Sequence, residues 1–224
     1  MNSIGGLPIT QRLDEWDATH YEWQKSYAHC YTRLNSLQFF FETYITFDVE
    51  TNYTSRIIEV IPLFDPFNSR LFDKNLTRSE KLKAENEYRD KMKQMLNFLD
   101  RSSNSQISGD FDELIIFENK LWNAMNSKTN KTDLTRRVTI YQMENNFPYM
   151  NWLQIFRQMF EKTDIVITED EPILVYDIYY FNALSIILSE TSKRTIANYI
   201  GLKILSSYGV NMIPKLREMC VAFV

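Results

Sequence analysis

The stretch Glu190-Thr-Ser-Lys-Arg-Thr-Ile-Ala-Asn-Tyr-Ile-Gly-Leu-Lys-Ile204 decides how the rest of the chain is read. Its apolar residues recur at helical spacing, and it reads as a helix over about residues 193–208. A second apolar helix over about 178–190 precedes it. Upstream lie a short apolar piece, Ile165-Val-Ile167, and an acidic Glu169-Asp-Glu171. Before these, Asn151 is placed to cap a helix from Trp152 to Phe160, and Thr139 a short one to Asn145 that Phe147-Pro148 ends.

The first half of the chain follows the same helical rhythm with one exception. After an extended lead-in broken at Gly5-Gly6-Leu7-Pro8, a helix is expected from about Asp17, with Trp16, Trp23, Tyr27, Cys30 and Leu34 on one face. The exception is Phe39-Phe-Phe-Glu-Thr-Tyr-Ile-Thr-Phe-Asp-Val49 followed by Ser55-Arg-Ile-Ile-Glu-Val-Ile61. Both runs are β-branched and aromatic, and a polar turn over residues 50–54 separates them, so they read as a β-hairpin near residues 38–61. Thr77 with Glu80 is a capping box opening a helix to about Leu99, with Leu82, Met92, Met95, Leu96 and Leu99 on its buried face. A polar linker over 102–109 leads to a helix begun by Asp110 and Glu113, with Leu114, Phe117, Leu121 and Met125 apolar. The expected fold class is mainly α: a multi-helix domain with one β-hairpin.

Bulk properties narrow the function classes. The 224 residues allow one sizeable core or two small ones. A formal charge of −4 and the absence of a basic stripe give no electrostatic reason to bind nucleic acid. No run approaches the roughly 18 apolar residues of a membrane span, and the N-terminus lacks the basic and apolar regions of a signal peptide. Two cysteines, Cys30 and Cys220, are too few for a disulfide scaffold. Three glycosylation sequons begin at Asn52, Asn75 and Asn130, about the number chance supplies.

No residue pattern carries catalysis. His20 and His29 are the only histidines, nine positions apart, and on one helix they would face opposite ways. Zinc hydrolysis from a helix needs two histidines four apart with a glutamate beside the first, and no H-E-x-x-H occurs. Residues 169–171 lack the alternating ligands and glycine of a calcium loop. No Gly-rich phosphate loop, nucleophile elbow or Cys-His pair of known catalytic spacing is present.

The motifs as a set resemble those of the neprilysin/endothelin-converting-enzyme family of zinc metalloendopeptidases. Residues 194–203 are similar to its R-T-x-A-N-Y-L-x-W-R helix, with Gly201-Leu202-Lys203 departing at the aromatic step. Ile4-Gly-Gly-Leu-Pro8 with Trp16-Asp17 and Trp23 resembles the lead-in. Asp112-Glu-Leu-Ile-Ile-Phe-Glu118 resembles an F-E-x-x-L helix, and Met143-Glu-Asn-Asn-Phe-Pro-Tyr-Met-Asn-Trp152 the N-F-P-x-x-N-W turn. Residues 171–180 and Met219-Cys220-Val221 continue the order. The resemblance implies an extracellular or cell-surface helical cap domain, residues 1–224, that encloses a peptide chamber with a C-terminal zinc domain. It implies no zinc ligand or catalytic residue in this chain; the zinc belongs to the missing C-terminal catalytic domain, which would be its partner. Peptide substrates would be met only through the whole enzyme. Cys220 falls where the family has a disulfide cysteine; it is either unpaired or joined to Cys30. The alternatives are a free-standing, catalytically dead binding protein of that descent and an unrelated helical interaction module.

Overall fold

A computed structural model describes residues 6–12, 14–34, 36–97, 107–127 and 135–209. Seven α-helices and four strands lie among them. The chain divides into two compact units, each assembled from separated segments. One comprises Met1–Tyr21, Asp65–Asn119 and Ser192–Val224; the other comprises Glu22–Phe64 and Lys120–Thr191.

The second unit holds the sheet. Strands β1 (Phe41–Phe47) and β2 (Arg56–Pro62) pair antiparallel from Phe41↔Pro62 to Phe47↔Arg56, which is the expected hairpin. The sheet then grows beyond the hairpin: β4 (Pro172–Val175) lies parallel to β2, and β3 (Arg136–Thr139) closes the order β1-β2-β4-β3. Four-residue strands such as Pro-Ile-Leu-Val carry too little periodicity to announce themselves; β4 is held by pairing with β2, and β3 by pairing with β4. The hairpin turn is fastened by Asp48, which accepts from the Glu50 N–H at 3.1 Å and from Arg137 Nη1 on β3 at 2.7 Å. The Arg137 hydrogen bond holds the Asp48 carboxyl below the usual range.

Helices α1 (Trp23–Arg33), α4 (Ile140–Asn146), α5 (Trp152–Met159) and α6 (Ile178–Glu190) belong to this unit. Helix α1 starts six residues later than expected. Asp17 accepts from the Thr19 N–H at 2.8 Å and pairs with His20 Nδ1 at 3.0 Å, so the chain closes a local turn there instead of a helix. These bonds, those from Thr19 foremost, pull the Asp17 carboxyl down to about 2. Trp23, Tyr27 and Cys30 are buried on α1 as its spacing requires, and Leu34 is half-buried just past its end. Thr139 forms the expected cap of α4, as a full capping box with Gln142. Asn151 does not cap α5 through its side chain; Glu144 Oε1 takes the Leu153 N–H instead, at 2.8 Å.

The core of this unit is aromatic. Trp152 is fully buried, 5.0 Å from Phe41 and 5.6 Å from Phe181, ring centre to ring centre. Tyr27 and Tyr180 are also buried, and each finds an acceptor on the chain entering β1: Tyr27 Oη donates to the Phe41 carbonyl at 2.5 Å, and Tyr180 Oη to that of Phe40 at 2.6 Å. A buried phenol needs such a partner, and the two backbone carbonyls at the start of β1 supply it.

The first unit contains α2 (Arg78–Asn97), residues 107–119 of α3 (Ile107–Met125), and α7 (Lys193–Ile204), which runs into a π-type turn over Leu205–Gly209. The Thr77–Glu80 capping box is present at the start of α2. The buried face of α2 is Ala84, Tyr88, Met92, Met95 and Leu96; Leu82 is 59% exposed, contrary to expectation, because it lies two residues, about 200°, from Ala84. Leu99 lies outside the described residues. Helix α3 begins at Ile107, three residues before Asp110, so part of the expected linker is helical. Asp110 is thereby free for a different task.

Candidate functional site

Every residue of α7 from Arg194 to Ile204 is buried. The helix starts on Ser192, whose Oγ accepts from the Thr195 N–H at 3.0 Å. Within the first unit Arg194, Asn198 and Lys203 each reach a specific partner, while Arg194 Nη1 and Asn198 Nδ2 are buried with no hydrogen-bond partner among the described residues. Arg194 grips Asp110 of α3 in two bonds, Nε–Oδ1 at 2.8 Å and Nη2–Oδ2 at 2.9 Å, and Nη2 also donates to the Gln11 carbonyl at 3.0 Å. The planar guanidinium fork matches the carboxylate geometry, a fit that lysine could not reproduce. Asn198 Oδ1 accepts from the Ile9 N–H at 2.5 Å, tying down the lead-in after Pro8. Tyr199 meets the edges of Phe117 and Phe67 at 5.2 Å and 5.9 Å.

Gly201, at the variable position of the motif, is required by packing. A Cβ there would stand 2.6 Å from Leu7 Cδ1 and 3.3 Å from the Gly6 carbonyl, so the lead-in lies directly on the helix backbone. Lys203, 7% exposed, donates to the Asp65 carbonyl and stands 4.3 Å above the Phe67 ring. Glu118 of α3 is wholly buried and accepts from the Phe67 N–H at 3.2 Å. Burial, the dominant cause, pushes its carboxyl up to about 7. Residues of the 65–67 segment are thus held from three helices, Lys91 of α2 adding a bond to the Phe67 carbonyl at 3.4 Å.

The residues with candidate chemistry do not assemble. His20 is solvent-exposed and engaged with Asp17, in the first unit. His29 lies on α1 in the second unit, its pKa lowered chiefly by burial. The two therefore do not share one helix, as the sequence had suggested. Among the described residues no group of three or more His, Cys, Asp or Glu is placed to hold a metal ion. Cys30 is a buried free thiol, pushed up to about 12 by burial, and Cys220 lies outside the described residues. Residues 169–171 serve the backbone: the Glu169 and Glu171 carbonyls accept from the Tyr141 and Ile140 N–H at the head of α4.

Asn52 is exposed on the hairpin turn with φ 53°, and Asn75 is exposed before α2. Thr77 of the second sequon is also the helix cap, donating to Glu80 Oε2 at 2.6 Å. Asn130 lies outside the described residues. No described helix is long and apolar enough to cross a membrane.

What sequence reasoning missed is the pairing of motif residues: Asp110 read as a helix start, and Glu118 as one letter of a motif. Acidic residues on an otherwise apolar helix face were the available signal, since such groups are rarely buried without partners.

Comparison with known proteins places this arrangement. The chain is 26% identical to endothelin-converting enzyme 1 of Bos taurus over 205 residues, covering 89% of this chain and 26% of that protein. It is 26% identical to neprilysin-1 of Trittame loki over 227 residues, covering 97% of this chain and 30% of that one. It thus spans between a quarter and a third of these relatives' length. In structure it is similar to the Mycobacterium tuberculosis zinc metalloprotease Zmp1 in its open state, with a TM-score of 0.64 over 85% of this chain and 29% of that one, at 9% identity. The profile of Peptidase family M13, for its N-terminal domain, matches residues 1–224. With that profile matched from end to end and the motif helix at the centre of one of its units, the chain belongs to peptidase family M13, as an N-terminal domain of that family.

Proposed function

We propose that residues 1–224 form the non-catalytic cap of a neprilysin-like zinc metalloendopeptidase, walling a peptide chamber that a separate zinc-bearing domain completes. The observation that carries this reading is that the motif side chains are engaged internally. Arg194 holds Asp110 and Asn198 holds Ile9, so neither presents a group to a substrate. A helix built this way shapes a wall; it does not perform hydrolysis. Zinc and peptide cleavage belong, in this reading, to the C-terminal catalytic domain. Incubated with zinc and a mixture of peptide-hormone-sized substrates, the purified chain is expected to release no fragments by mass spectrometry. Cleavage abolished by a zinc chelator would overturn the proposal.

A second reading, a free-standing binding protein, draws on one observation in the second unit. An apolar groove of about 140 Å³ is lined by Ile45, Ile57, Ile58, Phe160, Ile165 and Ile167. Exposed apolar surface of this kind suits a protein contact. An H-E-x-x-H further along the same open reading frame decides for the cap.

An extracellular setting follows from the cap reading, and the exposure of Asn52 and Asn75 supports it. Secreted from a eukaryotic cell, the chain is expected to lose one glycan's mobility shift with Asn75→Gln and one with Asn52→Gln. Insensitivity of the wild type to peptide-N-glycosidase would contradict the extracellular assignment.

A further inference from the structure

Glu118 has no part in the cap reading, yet its setting is unusual. It is 0% exposed, and its Oε1 accepts from the Phe67 N–H while its Oε2, also buried, meets no hydrogen-bond partner among the described residues. Apolar and aromatic groups surround the segment it holds: the Phe67 ring lies 6.1 Å from that of Tyr88 and 5.9 Å from that of Tyr199. The charged and titratable groups facing it come from every neighbouring element. Lys203 approaches from α7, Lys91 and Tyr88 from α2, and Asp65 from the strap itself. Burial disfavours the carboxylate and outweighs Lys203, the Phe67 N–H and Lys91, which favour it; the charge of Lys203 is itself engaged by Asp65 and disfavoured by burial. An ionised Glu118 is therefore a buried, half-solvated anion, which water would stabilise better than this seat does.

We propose that Glu118 is a proton-operated latch on the 65–67 strap, seated while its carboxyl is protonated and released into water as the carboxyl ionises. The strap is suited to moving. It is non-helical and precedes a single short 3-10 turn (Ser69–Phe72); its other polar ties, from Lys91 and Lys203, reach it on long flexible side chains, and the buried Phe67 ring, packed on Tyr88 and Tyr199, is its remaining anchor. The sign follows from burial. The folded, closed form binds the proton more tightly than the open form, in which the carboxyl regains its usual pKa. The closed form is hence favoured at acidic pH, and its advantage falls as pH rises from the ordinary glutamate range through about 7.

Amide hydrogen exchange of the full chain reads the latch at the N–H that Glu118 holds. After correction for the intrinsic pH dependence of exchange, the protection factor of the Phe67 amide is expected to fall about tenfold or more between about pH 5.5 and about pH 8. In Glu118→Gln, which keeps the acceptor oxygen and cannot ionise, it should change by less than about twofold over that range. Core amides of α7 serve as the control for global unfolding, and in both proteins their protection should not follow that of Phe67. A wild-type Phe67 amide whose protection is independent of pH overturns the proposal. So does an undiminished pH dependence in Glu118→Gln, which would assign the titration to Lys203 or to another group.

Discussion

Replacing Arg194 with Met is expected to lower the unfolding free energy by about 3–5 kcal/mol, the range for breaking one side of a buried ion pair. Arg194 and Asp110 are 9% and 7% exposed, and two bonds below 3 Å join them. Removing the guanidinium leaves a carboxylate with little access to water and without this cation, and also removes the Arg194 hydrogen bond to the Gln11 carbonyl. The intact pair is not itself a large source of stability, because desolvating two charges offsets most of their attraction. The double variant Arg194→Met/Asp110→Leu should consequently regain most of the loss. Urea denaturation of wild type, both single variants and the double variant measures the cycle. A single variant within about 1 kcal/mol of wild type would show that water reaches the pair and that the motif arginine has some other task.

The second large effect is expected at Trp152 in the other unit. Trp152→Ala should cost about 3–5 kcal/mol, since it empties the volume of an indole among Phe41, Phe156 and Phe181. Trp152→Phe should cost far less than that. It retains most of the ring packing and removes an Nε1–H that is buried without a hydrogen-bond partner among the described residues. An unsatisfied buried donor carries a penalty of about 1–3 kcal/mol, which partly offsets the smaller ring's lost contacts. Thermal or urea unfolding followed by far-ultraviolet circular dichroism compares the three proteins. Equal losses for the Ala and Phe variants would mean that the indole nitrogen, through an ordered water, contributes more than its ring does.

Elements were readable where local chemistry and packing agreed. The capping pairs Thr77–Glu80 and Thr139–Gln142 mark helix starts because the side chains that satisfy the free N–H groups lie within three residues. The hairpin was visible because each of its strands runs for seven residues. Where a local hydrogen bond competes with the helix, periodicity misleads: the Asp17 turn delays α1 to Trp23 although Trp16 continues its apolar spacing. Strands β3 and β4 were not readable, since four residues give no pattern and their stability comes from a neighbour far away in sequence.

The sequence alone determined that this is a mainly helical relative of the M13 peptidases, because spacing, caps and motif order are properties of neighbouring residues. Only the tertiary structure decided what the motif residues do. Whether Arg194 would meet a substrate, a metal or another side chain depends on Asp110, 84 positions earlier. Whether Glu118 is an ordinary surface acid or a buried one depends on Phe67, 51 positions earlier. A charge acquires its chemistry from the water it loses and the partner it gains, and both are set by segments that the fold, not the spacing, brings together.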